Sequence, residues 1–427
     1  MAQTRALLGQ AAATAGLAPR IMTHTSAPPQ ASAAARAVMA MLQRMPHGQL
    51  DLHLPGAAQP LTFGSATDGT ERACLQVHDN RVFGQALRRG DIGFAESYIA
   101  GQWDSPQLAD LVTLLARNHQ ALEQAIYGSR LGGWLYRLRH ALRRNTRHNS
   151  RKNIHAHYDL GNDFYRLWLD ETMTYSSAWF VDAGDTLAQA QRHKIRRALH
   201  AAQVKPGARV LEIGCGWGAL AEQAATEQQA HVTGITLSTE QLAYAQQRLA
   251  NAGVDHACEL RLQDYRETAS RQAAGSFDAV LSIEMIEAVG QAYWPTYFGA
   301  IAHLLKPGGL ACIQVIVIDD ALFDRYLKET DFIQQYIFPG GCLLSRAEVQ
   351  RQADRAGLVV QDTFAFGADY GRTLALWAQR VTAQEQAIRA LGFDTRFLRT
   401  WLFYLAYCEA GFRAGTTDVL QVTLGKP

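Results

Sequence analysis

The residues with the clearest chemical potential are three alternating glycines in the string Val210-Leu-Glu-Ile-Gly-Cys-Gly-Trp-Gly-Ala-Leu, namely Gly214, Gly216 and Gly218. An apolar run precedes them and a helix-forming run follows, so they fall on a strand-to-helix turn where a backbone without side chains lets a ligand come close. A dinucleotide site would pair such a turn with an acid at the end of the next strand. Here that position reads Gly234-Ile-Thr-Leu-Ser-Thr-Glu-Gln, and it offers Thr236, Ser238 and Gln241 in place of a carboxylate. That argues against a nicotinamide dinucleotide. A third cluster, Gln263-Asp-Tyr-Arg, falls where the loop after the following strand belongs, and Asp264 has the chemistry to accept a hydrogen bond from an adenine amino group. Each cluster alone reads as an ordinary loop or helix cap; three in register are harder to assign to that role.

Other reactive residue types carry less. His155-Ala-His157 has no Cys or further His close in sequence to complete a metal site, and Cys215 has no evident His and Asp partners, so it reads as a small packed side chain. Glu284 and Glu287, in Glu-Met-Ile-Glu, follow the apolar run Phe277–Ile283. Glu284 is open to two readings, a base or ligand in a site, or a carboxylate that satisfies loop amides; the second is preferred. Phe338-Pro-Gly-Gly341 reads as a turn first and as part of a lid second.

These residues need a scaffold, and the pattern from Asp185 onward supplies one. Helical stretches ending near Ala202 and starting at Ala219 and Thr239 alternate with apolar strands Arg209–Ile213, His231–Ile235, Phe277–Ile283 and Leu310–Ile316. That alternation predicts an α/β fold with a doubly wound, mostly parallel sheet. Upstream, a short helix over Ala33–Met45 and the segments Gln49–Leu54, Leu61–Phe63 and Ala73–Val77 predict a smaller α/β unit, set at residues 34–128. Residues 1–33, rich in Ala, Thr, Ser and Pro, read as a disordered leader. The aromatic helix expected over Phe393–Phe412 reads as core packing, with lining of an apolar channel as the second reading.

A basic helical connector is expected at 129–152, ahead of a main domain at 153–427. Arg130, Arg137, Arg139, Arg143, Arg144, Arg147, Arg151 and Lys152 occur there with no acid among them, beside Leu and Trp at spacings of three and four. Such a helix either lies on an anionic bilayer or packs its apolar edge on the protein. Nucleic acid is disfavoured, because no recognition motif or aromatic-studded sheet surrounds the run. Over the whole chain 41 basic residues nearly balance 39 acidic ones, so net charge selects no partner. No run approaches the ~20 apolar residues of a membrane span, and six unpatterned cysteines suit a reducing cytosol.

The strings Tyr158-Asp-Leu-Gly-Asn-Asp-Phe-Tyr165, Met173-Thr-Tyr-Ser-Ser177, Leu211-Glu-Ile-Gly-Cys-Gly-Trp-Gly218, Gly234-Ile-Thr-Leu-Ser238 and Phe366-Gly-Ala-Asp-Tyr370 resemble the motifs of cyclopropane-fatty-acyl-phospholipid synthases and the related mycolic-acid cyclopropane synthases. The resemblance runs from about Asp91 to the C-terminus and includes Gly90-Asp-Ile-Gly-Phe-Ala-Glu-Ser-Tyr-Ile-Ala-Gly-Gln-Trp103, similar to that family's lipid-associated domain. It implies a class I, Rossmann-like methyltransferase that uses S-adenosyl-L-methionine. Tyr158, Tyr175 and Ser176 would then close over the methionine part of the cofactor, with Gly214, Gly216 and Gly218 facing its backbone. Thr236 and Gln241 would face its ribose, and Asp264 with Tyr265 its adenine.

The resemblance also implies a bicarbonate ion as base, caged by Ser177, Glu287, Gln314, Ile316 and Tyr370, with Ile316 acting through its backbone. Two positions depart from the family pattern: Ser177 stands where Cys is usual and Gln314 where His is usual. Both still donate hydrogen bonds, but the titratable imidazole is gone. The expected reaction is addition of a methylene unit to the cis double bond of phospholipid acyl chains, giving cyclopropanes. The alternatives are methylation without ring closure and a non-catalytic lipid-binding protein. Expected partners are unsaturated phospholipids at the inner face of the cell membrane, with the protein cytoplasmic and peripheral, and a second copy in a homodimer.

Overall fold

A computed structural model describes residues 31–65, 71–123 and 160–427. The leader through residue 30, the basic connector 129–152, His155, His157 and Tyr158 lie outside the described residues.

The N-terminal part starts with the helix Ala33–Leu42, whose Ser32 Oγ accepts from the Ala35 amide. Strands β1 (Gln49–His53), β2 (Leu61–Gly64), β3 (Arg72–Val77) and β4 (Trp103–Asp104) pair in the order β2-β1-β3-β4. Alternation sets its faces: Leu50 and Leu52 of β1 and Ala73, Leu75 and Val77 of β3 point inward. The helix Arg81–Ile99 breaks at Gly90, where φ is 60° and ψ is −138°, which only glycine tolerates cheaply. Trp103 is fully buried, and its Nε1 donates to Ser97 Oγ at 2.9 Å while the ring stacks on Phe94 with centroids 4.2 Å apart.

The main sheet contains β5 (Arg209–Ile213), β6 (His231–Thr236), β7 (Cys258–Leu262), β8 (Phe277–Ile283), β9 (Leu305–Ile318), β10 (Leu344–Ser345), β11 (Val359–Ala365) and β12 (Thr417–Gly425). Its order is β11-β12-β9-β8-β5-β6-β7, with β10 beside β9. β7, β6, β5, β8 and β9 run parallel, whereas β12 is antiparallel to both β9 and β11. The chain builds outward from β5 to β7 and then returns to β8 on the other side. The carboxyl end of β5 is therefore the topological switch point where open α/β sheets bind ligands. The predicted strands recur within a residue or two except Leu310–Ile316, which extends to Leu305–Ile318 because β8, β10 and β12 all pair with it.

The aromatic helix Thr395–Ala414 does more than fill a core. Arg399 donates to the Tyr98 carbonyl at 2.6 Å and the Trp103 carbonyl at 2.9 Å, reaches Asp104 at 2.8 Å and lies 3.9 Å over the Tyr98 ring. Arg413 meets Asp110 and Glu71. The helix thus pins the N-terminal part against the sheet domain, and one apolar cluster runs through both, from Met39 and Phe83 to Trp377 and Phe412. Arg399→Ala strands two carbonyls in a half-buried setting, so it is expected to cost about 1–3 kcal/mol in denaturant unfolding.

Candidate active site

The glycine turn sits at the switch point. Gly214, Gly216 and Gly218 have φ of 87°, 52° and 85°, the left-handed region that side chains disfavour. Their reasons differ, however. A Cβ on Gly214 would lie 3.0 Å from Met285 Cγ and one on Gly218 2.9 Å from Ala245 Cβ, whereas one on Gly216 meets nothing within 4 Å. Two glycines let the turn pack, and the third leaves an open face. Beside it, the Gly214 and Cys215 amides both donate to the Ile235 carbonyl, which ties the turn to the end of β6.

Thr236 and Gln241 meet each other there, Thr236 Oγ1 donating to Gln241 Oε1 at 3.0 Å, and Ser238 caps the helix Thr239–Asn251. Asp264 is buried at the end of β7, where its carboxylate caps the helix Tyr265–Arg271 and grips Arg266. That cap is the ordinary role weighed for it, and the ion pair is an addition that the sequence left unseen. Tyr265 packs edge-on against Tyr297, with centroids 5.7 Å apart.

On the other side of the switch point, the segment from Met173 to Ser177 enters an aromatic box. The Tyr175 ring lies within 5.6 Å of Tyr165, 5.4 Å of Trp168 and 5.4 Å of Trp377, and its hydroxyl is 2.7 Å from that of Tyr404. Ser176 Oγ accepts from Lys194 Nζ at 2.6 Å. Lys194 is fully buried, which pushes its pKa down to about 8 against the pull of Glu284, Asp170 and Glu212. Glu212, buried under the turn, is pushed up to about 8 by the same loss of water. Neither residue stood out in the sequence; the apolar periodicity around them is ordinary.

Glu284 is the centre of the arrangement. Ser177 N donates to its Oε1 at 2.9 Å, Gln314 Nε2 donates to the same oxygen at 2.7 Å, and the Tyr370 hydroxyl donates to Oε2 at 2.6 Å. Glu284 itself has φ of 49°, a costly conformation for a non-glycine residue and one that concentrates at functional sites. Burial raises its pKa, while Lys194, Tyr370, Ser177 and Gln314 pull it back. Glu287 lies beside it: Ile316 N donates to Oε1 at 2.5 Å, and buried Oε2 has no hydrogen-bond partner among the described residues. Burial and then the neighbouring Glu284 push Glu287 up to about 8.

The structure therefore brings Ser177, Glu287, Gln314, Ile316 and Tyr370 together as the resemblance implied, but not as a bicarbonate cage. The Ser177 amide, Gln314 and Tyr370 donate to a carboxylate the chain itself provides, and the Ile316 amide is held by Glu287. A second anion there would face the Glu284 carboxylate with those donors already engaged, so bicarbonate does not fit this arrangement. The preferred reading of Glu284, a carboxylate satisfying loop amides, covers the Ser177 amide but not the side chains of Gln314 and Tyr370, which reach it from distant elements.

Both glutamates line a cavity of about 1150 Å³. Its walls include Tyr175, Ile316, Phe338 and Tyr404 near the glutamates and Leu50, Leu75 and Phe83 of the N-terminal part. The Phe338–Gly341 turn forms part of this wall, and Cys342 N just beyond it donates to the Glu287 carbonyl at 2.8 Å. The aromatic helix supplies Phe403, Tyr404, Tyr407 and Phe412 to the wall, so both readings given for it apply.

The family model described as Mycolic acid cyclopropane synthetase matches residues 145–422. The chain belongs to that family. Among its relatives, "Tuberculostearic acid methyltransferase UfaA1" of Mycobacterium tuberculosis is 42% identical over 350 residues, 79% of each chain. "Cyclopropane-fatty-acyl-phospholipid synthase" of Escherichia coli K12 is 34% identical over 378 residues, 85% of this chain and 90% of that one. The solved structure of mycolic acid cyclopropane synthase CmaA1 complexed with SAH and CTAB aligns with a TM-score of 0.60 at 33% identity, over 65% of this chain and 98% of that one. As a member of this family the protein is an S-adenosylmethionine-dependent methyltransferase with the class I fold. The open face at Gly216, beside Thr236 and Gln241, suits that cofactor. Among the described residues, no helix is long and apolar enough to cross a membrane.

The raised pKa of Glu287 carries a stability prediction. Its folded value of about 8 exceeds its ordinary value of 4.5, so the native state holds a proton that the unfolded chain has released. The stability contribution is full below pH 4.5 and is lost as pH rises toward 8. Melting temperature is expected to fall over that window, and to fall less in Glu287→Gln, when both are scanned across the same pH series.

Proposed function

We propose that this protein methylates the double bond of unsaturated phospholipid acyl chains and releases an open, methylene- or methyl-branched unsaturated product. The observation that carries this reading is the Glu284 carboxylate in the middle of the donor set. S-Adenosylmethionine supplies an electrophilic methyl group on a positively charged sulfur. The chain's own residues must hold an alkene against it, keep water out, tolerate a positive charge and take away a proton.

The cavity serves the first two tasks, since an apolar enclosure aligns a fatty chain and excludes solvent; alignment of this kind contributes up to roughly 7–11 kcal/mol of a barrier. The rings of Tyr175, Phe338, Tyr370 and Tyr404 line the cavity and offer π faces and edges suited to a cationic acyl carbon, with Tyr165, Trp168 and Trp377 packed around Tyr175. The alkene's π pair forms the new C–C bond and leaves that charge on the adjacent carbon. Loss of one proton then restores neutrality, so the net addition is one CH₂.

Glu284 is the base in this scheme. A carboxylate offers about four lone-pair sites. Ser177 N and Gln314 Nε2 use the two on Oε1, and Tyr370 uses one on Oε2. The remaining site on Oε2 takes the proton. Because this base is tethered at a fixed place, it removes a proton from the carbon presented to it: a chain carbon beside the charge, which yields a methyl-branched alkene, or, after a 1,2-hydride shift brings the charge to the methylated carbon, the new methyl group, which yields a methylene. The relative named for tuberculostearic acid supports the open product. Reduction to a saturated branch needs a hydride donor, which is a task for a separate oxidoreductase.

A second reading, ring closure by loss of a proton from the new methyl group, is supported by the identity to the E. coli cyclopropane synthase. Both products have the same mass. Incubation with labelled S-adenosylmethionine and monounsaturated phospholipid vesicles, followed by proton NMR of the methyl esters, separates them. Vinylic signals from a branched alkene are expected; high-field cyclopropyl signals would establish the second reading, and acyl chains without an added CH₂ would refute both.

A further inference from the structure

Gln314 and Gln421 sit opposite each other on the neighbouring strands β9 and β12, and both are buried in an otherwise apolar stretch of sheet. Their orientations follow from groups with no choice of role. Arg197 only donates, and its Nη1 is 2.8 Å from Gln421 Oε1. The Lys194 carbonyl only accepts, and Gln421 Nε2 lies 3.1 Å from it. The Gln421 amide is therefore fixed with oxygen toward Arg197 and nitrogen toward the sheet interior. That nitrogen also donates to Gln314 Oε1 at 3.1 Å. Gln314 is left one orientation, with its NH₂ toward Glu284 at 2.7 Å and the Ser177 carbonyl at 3.5 Å.

We infer that Gln421, held by Arg197, is a positioning residue for the reaction: it locks the Gln314 side chain so that Glu284 always faces a donor and never the amide oxygen. The signal starts near the surface, where Arg197 pairs with Asp362 at 3.2 Å and lies 3.8 Å over the Phe364 ring, and it reaches the site through two amides. Without the lock, Gln314 is free to rotate and turn its carbonyl toward the Glu284 carboxylate. The charged and titratable groups around Glu284 are Lys194 from the helix Leu187–Ala201, Tyr370 from the helix Gly367–Ala383, Cys408 from the aromatic helix and Glu287 from its own loop. Of these, Lys194 meets Gln421 through its backbone carbonyl, held within its helix, whereas the side-chain link from Gln421 to the Glu284 carboxylate runs through Gln314. Mutual satisfaction of two buried amides would explain their pairing, but not the direction in which the pairing points.

The inference rests on Glu284 as the base, so its test reads Glu284 directly and does not require product. Glutamate labelled with ¹³C at the side-chain carboxyl is titrated by NMR in the full-length protein, with Glu284→Gln identifying the signal. Gln421→Met removes the lock at similar volume and is expected to raise the Glu284 midpoint by roughly one pH unit. Gln421→Glu, which offers Gln314 only acceptors once ionised, is expected to raise it further. Arg197→Met acts at the more accessible end and shifts it in the same direction. In turnover, each variant's acidic limb moves up by the same amount while the KM for phospholipid stays unchanged. An unmoved Glu284 signal in folded variants, with melting temperature and S-adenosylmethionine affinity preserved, overturns the inference. A moved signal in a protein that makes no methylated lipid would instead overturn the proposed function and leave the positioning intact.

Discussion

Glu284→Gln is expected to lower turnover by roughly 10²–10⁴-fold, the usual contribution of a general base, while S-adenosylmethionine binding stays within experimental error. The substitution keeps the volume and an acceptor for the Ser177 amide, but removes the atom that takes the proton. The pH dependence has a definite sign. Burial raises the pKa of Glu284, and a protonated carboxyl cannot accept a second proton. Wild-type turnover therefore falls as pH drops through that raised value, and the variant's residual rate lacks this acidic limb. Pre-steady-state transfer from labelled cofactor at several pH values measures both effects. A variant with wild-type turnover would show that another group removes the proton.

Gly216→Asp is expected to weaken cofactor binding on the order of 100-fold, equivalent to about 2.8 kcal/mol, without unfolding the protein. Its position explains both halves of that result. A Cβ at Gly216 meets no atom within 4 Å, and Asp tolerates the left-handed conformation better than most side chains, so the turn itself survives. The new carboxylate nevertheless occupies the face on which the cofactor must lie. Gly218→Asp makes the contrasting case, because its Cβ would collide with Ala245 and the expected first effect is lost stability. Calorimetric titration with S-adenosylmethionine, paired with thermal unfolding, separates the two.

The fold and the cofactor side of the site were legible because strand-to-helix turns announce themselves locally. Gly214, Gly216, Gly218 and Thr236 lie at the ends of β5 and β6, where apolar periodicity gives way to small and hydroxylated residues. The catalytic side was legible as a set of residues but not as an arrangement. Ser177, Gln314 and Tyr370 come from three separate elements, and only the folded chain shows that all three donate to Glu284. The departures at Ser177 and Gln314 pointed to a changed site, yet the compensating residue was read as a loop carboxylate because its partners are distant in sequence. Arg399 and Arg413 were missed for the same reason: their partners, Asp104, Asp110 and Glu71, lie roughly 300 residues or more away on the N-terminal part. Long-range ion pairs leave no periodic trace. Asp264 was legible as a helix cap, whereas its ion pair with Arg266, two residues on, was not.

In the proposed reaction this chain supplies its own carboxylate where the resemblance implied a bound ion. Turnover on monounsaturated phospholipid vesicles, measured in carbon-dioxide-free buffer with and without added bicarbonate, tests that claim most directly. With Glu284 already held by Ser177, Gln314 and Tyr370, the rate is predicted to be the same in both buffers. A rate that collapses when bicarbonate is removed and returns when it is restored would contradict the account.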